Sequence, residues 1–257
     1  MNQVLADLSA LVNLAEATVW TAVLIFVRVG AALALMPGLG DSAVPQRVKL
    51  ALAFAFTLVL TPIMSGPLGQ VAPALAPLGG EVVAGLILGI GLRLFVLALQ
   101  TAAAIIAQAT TLSQLFAGTA PEPQPAIGNL LSIAGVALAL STGLHVTATK
   151  LVVLSYDILP AGLLPDAAAV ATWGLDLVSR TFALAFSLAA PFVIAATIYN
   201  LALGAINRAM PQLMVSMVGA PALTLGGLAL LAIATPVLLA VWHSALQDHM
   251  AHPFGPP

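Results

Sequence analysis

WTAVLIFVRVGAALALMP, residues 20–37, decides the class of this protein. Its only charge is Arg28. A helix needs about 20 apolar residues to cross the hydrocarbon of a bilayer, and this stretch nearly supplies them before Pro37 stops it. The same texture recurs on working outward. Val82 to Ala107, which carries Arg93 and Gln100, is long enough to span, as are Ile127 to Ala148, Thr181 to Ala205 and Val215 to Ser244. With the opening stretch these make five runs of membrane length. Leu50 to Met64 and Leu151 to Leu164 are shorter, about three-quarters of a span, and predict half-spanning helices or helices buried in protein. The links between runs are turn-rich: Gly38 to Pro45, the uncharged Gly66 to Gly80 with its three prolines, and Gln108 to Pro125.

Composition agrees. The 257 residues are 61% hydrophobic and 6% charged, with mean hydropathy +1.11. Soluble domains carry about 25% charged residues, and seven Lys+Arg with nine Asp+Glu cannot coat a soluble surface of this size. A net charge of −2 without a basic run gives no footprint for nucleic acid. Zero cysteines exclude disulfides and thiolate metal sites. With no long polar linker, residues 1–257 read as a single domain. Residues 1–17 lack the basic start of a signal peptide. Val4, Leu8, Leu11 and Val12 instead recur at helical spacing, which predicts an amphipathic entry helix. Residues 245–257 read as a solvated, Pro-rich tail.

The charges inside apolar runs need partners. An arginine at the centre of a membrane helix costs about 2.5–3.5 kcal/mol, so Arg28 and Arg93 should face protein or water, with Glu81, Asp157 or Asp176 as candidate counter-ions. A structural ion pair locking helices together is the favoured reading; an ion or substrate path in a small secondary transporter is the rival. His145 reads as a core or interface histidine, since no second ligand stands at helical spacing. Gly38-Leu39-Gly40-Asp41 and Tyr156-Asp157 superficially suggest an intramembrane aspartyl protease, but their order is reversed and Asp41 sits in a turn. Arg47 and Lys49, close to Pro45, mark a cytoplasmic end. No metal, cofactor or catalytic residue is expected.

Several stretches carry a resemblance. Arg28-Val-Gly-Ala-Ala-Leu-Ala-Leu-Met-Pro-Gly-Leu-Gly, then Val44-Pro-Gln-Arg-Val-Lys-Leu-Ala-Leu-Ala and Thr61-Pro62, look like the N-terminal signature of the FliR family. Gly80-Glu81 through Gly85, Gly89 and Gly91 resembles that family's E…G…G helix. Ser155-Tyr-Asp-Ile-Leu-Pro-Ala-Gly162 is similar to its S…L-P-x-G segment, and Asn200 to Leu213, with Arg208, Pro211 and Gln212, to its R-x-x-P-Q-L segment. The anchors fall in order from about Phe26 to Pro221. The physical reading of the same residues is helix punctuation at Pro37, Pro45 and Pro62, and close helix packing at the G-x-x-x-G pair Gly85 and Gly89.

The resemblance implies a subunit of the type III export gate of the flagellum, with relatives in virulence systems. It implies an all-α, polytopic membrane-type protein with bent and half-length hairpins, in the bacterial inner membrane at the flagellar basal body. Its partners would be the companion gate subunits, unfolded exported proteins and membrane lipid. The family's pore-closing loop corresponds here to Gln108–Phe116, with Leu112, Leu115 and Phe116 as apolar plug residues and Gln114 as a polar neighbour. Thr110 stands where the family has glycine.

Overall fold

Among the described residues, apolar runs punctuated by proline and glycine fold into seven helices: α1 (Asn2–Leu35), α2 (Gln46–Leu68), α3 (Leu75–Thr110), α4 (Ala126–Ser141), α5 (Leu144–Ile158), α6 (Ala167–Ala209) and α7 (Val215–Ala251). The computed structural model describes residues 2–69, 71–110, 126–209 and 215–255, and holds no strand among them. The chain is all-α; among the described residues, five helices are long and apolar enough to cross a membrane and a bent pair makes a sixth candidate span.

The five are not quite those the apolar runs predicted. Leu50–Met64 is the middle of α2, which continues through Pro62 and Pro67 to Leu68. Pro62 therefore does not end this helix. The hydroxyls of Thr57, Thr61 and Ser65 bond back to the carbonyls of Ala53, Thr57 and Pro62, so these polar groups are satisfied within the helix. The Gly66–Gly80 loop shrinks to the few residues between α2 and α3. Conversely, Ile127–Ala148 is not one span. It breaks after Ser141, and Gly143 at φ 92° caps α5, leaving two segments bent by 72°. Only glycine takes that φ without strain.

Helix ends elsewhere follow local chemistry. Residues 2–17 form the first turns of α1, continuous with the apolar run that follows. Past Leu35 the chain turns at Pro37 and Gly38 (φ 77°), and Gly40 donates its N–H to the Met36 carbonyl at 2.7 Å. Pro45 precedes α2, where a missing N–H costs little. Asp166 accepts the Ala169 N–H at 2.9 Å and caps α6, which absorbs the polar stretch around Asp176 and Arg180 and runs for 43 residues through Pro191.

The contacts divide into two compact units. The first holds residues 1–93, 140–175 and 249–257. Its core is Leu24, Ile25, Val29, Leu33, Leu60, Leu88, Leu92 and Leu151, all 5% exposed or less, where α1 packs on α2 and α2 meets α5. Here the supposed tail is docked rather than solvated: Trp173 Nε1 donates to the Pro253 carbonyl at 2.7 Å and its ring leans on Phe254. The second unit holds residues 94–139 and 176–248. It is built around Trp242, fully buried, whose indole N–H bonds the Phe95 carbonyl at 2.8 Å. Gly135 lets the Leu99 side chain and the Trp242 ring come close.

Candidate functional site

The first unit holds a buried polar cluster made from segments far apart in the chain. α1 carries Arg28 into the interior, 1% exposed, and α3 brings Glu81, 0% exposed. Arg28 Nε lies 2.7 Å from Glu81 Oε2 and Nη2 lies 3.2 Å from Oε1, a two-point pairing. Two further donors are used on α5 and its exit: Nη1 donates to Ser155 Oγ at 2.9 Å and Nη2 to the Leu159 carbonyl at 2.9 Å. Four of the five guanidinium N–H groups are thus engaged. The Ser155 hydroxyl in turn donates to the Val152 carbonyl at 2.6 Å.

Glu81 is equally occupied. Tyr156 donates its hydroxyl to Oε2 at 3.2 Å, and the Gly162 N–H donates to Oε1 at 3.1 Å. The Arg28 guanidinium carbon also sits 3.6 Å above the Tyr156 ring centroid, a cation–π contact. Two charges removed from water are tolerable only when their remaining hydrogen-bonding capacity is met, and here it nearly is. Of the three candidate counter-ions, Glu81 takes Arg28. Asp157 is exposed, and Asp176 pairs with Arg180 one turn along α6 at 2.5 Å.

Arg93 has a different partner, Asp41, which was not among those three. Nη1 to Oδ1 is 2.5 Å, and Asp41 Oδ2 accepts the Gly38 N–H at 3.1 Å. Lys49 reaches the Gly40 carbonyl of the same turn at 2.7 Å. This pair is about a third exposed, unlike the Arg28 pair. Asp41 is therefore a turn-fastening residue, and the aspartyl-protease reading loses its carboxylate. The transporter reading loses Arg28 as a water-facing charge, since that side chain is 1% exposed and fully paired with Glu81.

Close packing frames the cluster. A Cβ on Gly85 would collide with the Arg28 carbonyl and stand 2.7 Å from the Ala31 Cβ; one on Gly89 would stand 2.8 Å from the Ala32 carbonyl. The G-x-x-x-G pair presses α3 onto α1 at the level of the ion pair. Gly80 meets the Leu163 carbonyl in the same way. His145 is exposed rather than buried and lines a small apolar cavity with Val29, Leu60 and Leu88. Arg47 and Gln108 are exposed, and Arg208 is exposed in the last turn of α6, where a cation suits the helix dipole. Leu112, Gln114, Leu115, Phe116, Pro211 and Gln212 lie outside the described residues. Among the described residues no three His, Asp or Glu side chains gather as a metal ion would need.

Ser155, Tyr156, the Leu159 carbonyl and Gly162 were not singled out as site residues from the sequence. The signal was present all the same, because Arg28, Glu81 and Ser155–Gly162 were three separate anchors of the resemblance. The fold brings them to one point.

Comparison with known proteins bears on the same segments. The model of a family described as bacterial export proteins, family 1, matches residues 19–249. The chain is similar to the flagellar biosynthetic protein FliR of Caulobacter vibrioides, 38% identical over 241 residues that cover 90% of this chain and 94% of that one. It is also similar to FliR of Escherichia coli, 30% identical over 220 residues and 82% of each chain, and to FliR of Pectobacterium carotovorum, 26% identical over 222 residues and 83% of each. On that coverage, the chain belongs to bacterial export protein family 1, together with the flagellar FliR proteins.

Proposed function

We propose that this chain is a subunit of the flagellar type III protein export gate and forms part of the pore through which unfolded flagellar proteins pass. Family membership, with a flagellar relative 38% identical along 90% of the chain, is the observation that carries this reading. The protein is an export component rather than an enzyme. It belongs to a membrane, specifically the inner membrane at the flagellar basal body, and its partners are the other gate subunits.

Helix length supports a partner-covered position. At 1.5 Å per residue the 43 residues of α6 extend about 64 Å, against roughly 30 Å of hydrocarbon. A tilt of about 40°, the upper end for membrane helices, still leaves far more helix than the hydrocarbon holds. Yet apolar side chains stay exposed along it, from Leu175 (73%) through Phe186 (57%) and Ile198 (63%) to Leu201 (70%). Surface that is neither in lipid nor self-covered belongs against other protein. Within this reading residues 108–116 close the pore, Arg208, Pro211 and Gln212 contact a neighbouring subunit, and residues 1–257 act as one export-gate domain.

The test is purification from a flagellated cell. A tagged chain should come out in a large complex with the other gate subunits in fixed ratio, and its deletion should abolish export of flagellar filament protein. A chain stable as a small homo-oligomer, with export intact after deletion, would overturn the assignment.

A further inference from the structure

We infer that the exit of α5 and the first turns of α6 form a preformed pocket for an apolar, positively flanked segment of an assembly partner. The inference rests on the gate-subunit reading and names a surface through which assembly occurs. The cavity measures about 400 Å³ and is walled by Ile87, Leu164, Val170, Trp173 and Phe254, with Asp166 beside them. That volume lies within the range of sites that bury a ligand-sized group.

Both walls are held by hydrogen bonds rather than by packing alone. On one side, the turn is tied down where Arg28 donates to the Leu159 carbonyl and Gly162 donates to Glu81. Gly80 also lets that turn approach α3 at Leu163. On the other side, Trp173 is fixed by its bond to the Pro253 carbonyl, which holds Phe254 at the rim. A pocket already shaped spares its occupant the cost of ordering the walls. This gives the buried ion pair a purpose beyond cohesion: it holds one wall of a binding surface.

Charge selects the occupant. Among the described residues lining the pocket, Asp166 is the one ionisable side chain and none is basic. Leu164 beside it remains 71% exposed. An anionic lipid headgroup would be repelled at this mouth, whereas leucine- or phenylalanine-like side chains next to a Lys or Arg would satisfy both the apolar walls and the carboxylate.

The experiment places photoreactive p-benzoyl-phenylalanine at position 164 of the full chain in flagellated cells and identifies the cross-linked peptide by mass spectrometry. The expected adduct is to a companion gate subunit, at apolar residues adjoining Lys or Arg. Asp166→Asn keeps the helix cap, since Asn caps as well as Asp, but removes the charge; adduct yield should fall about two- to fivefold. Val170→Trp fills the pocket and should cut the yield roughly tenfold or more. Adducts only with phospholipid or with a second copy of this chain, a cross-linked peptide without a basic residue, or an unchanged yield in Asp166→Asn would each overturn the pocket. If the gate complex co-purifies but no adduct forms, the pocket fails while the gate reading stands. If no gate complex co-purifies, both fail together.

Discussion

Arg28 on α1 and Glu81 on α3, 53 residues apart in the chain, hold each other at 2.7 Å inside the first unit while each also holds a backbone group of the turn after α5. The pair therefore does two things at once. It cancels two buried charges, and it fixes the path of Leu159–Gly162.

Removing one member alone leaves the other buried and unpaired. Arg28→Leu should cost about 3–5 kcal/mol, visible as early heat-induced loss of the detergent-extracted protein. Arg28→Leu with Glu81→Leu should recover much of that loss, because no orphaned charge remains. Arg28→Glu with Glu81→Arg should not recover it. In the swapped pair a carboxylate would face the Leu159 carbonyl and a guanidinium would face the Gly162 N–H. Full rescue by the swap would show that only charge matters here.

Close approach of α3 to α1 depends on two missing methyl groups. Gly85→Ala and Gly89→Ala each push a Cβ into backbone carbonyl oxygens that cannot rotate away, at a cost of about 1–3 kcal/mol apiece. Gly30→Ala is the internal control. Nothing lies within 4 Å of its added Cβ, so it should be neutral or stabilising by up to about 1 kcal/mol. Thermal melts of the three variants should separate them in that order.

The Arg93–Asp41 pair is about a third exposed and so largely screened. Arg93→Leu should change stability by less than about 1 kcal/mol, several-fold less than Arg28→Leu in the same melt. Equal damage from the two substitutions would contradict the contrast in burial.

If residues 108–116 close the pore, their deletion should let small ions through a gate reconstituted in liposomes. Conductance indistinguishable from the intact gate would remove these residues from that role, with Leu112, Leu115 and Phe116 among them.

Much of the architecture was legible in residues 20–37 and their repeats, because a membrane-type helix announces itself by an unbroken apolar run. The runs that misled did so for local reasons. Pro62 reads as a stop, but a membrane-type helix can pass through proline when other groups satisfy the backbone it frees, and α2 runs on to Leu68. Ile127–Ala148 reads as one span, yet its single Gly143 can adopt φ 92° and bend the chain by 72°. The polar stretch around Asp176 and Arg180 reads as a link, but the two pair one turn apart on a continuous helix. Length and apolarity are sums along the chain and can be read from it; a break is one residue's backbone angle and cannot.

The same division holds for the site. That Arg28 needed a counter-charge followed from the cost of a buried guanidinium, and Glu81 was among the three carboxylates offered. That Arg93 would choose Asp41 did not follow, since Asp41 sits in a turn whose position depends on how α1 and α2 pack. By itself the sequence determined an all-α, membrane-type export protein with intramembrane charges that had to be compensated. Only the tertiary structure decided which partners compensate them, and that Ser155, Tyr156, Leu159 and Gly162 complete the set. The physical reason is that hydrogen bonds act over about 3 Å, so they are set by which helices touch rather than by which residues are near in sequence.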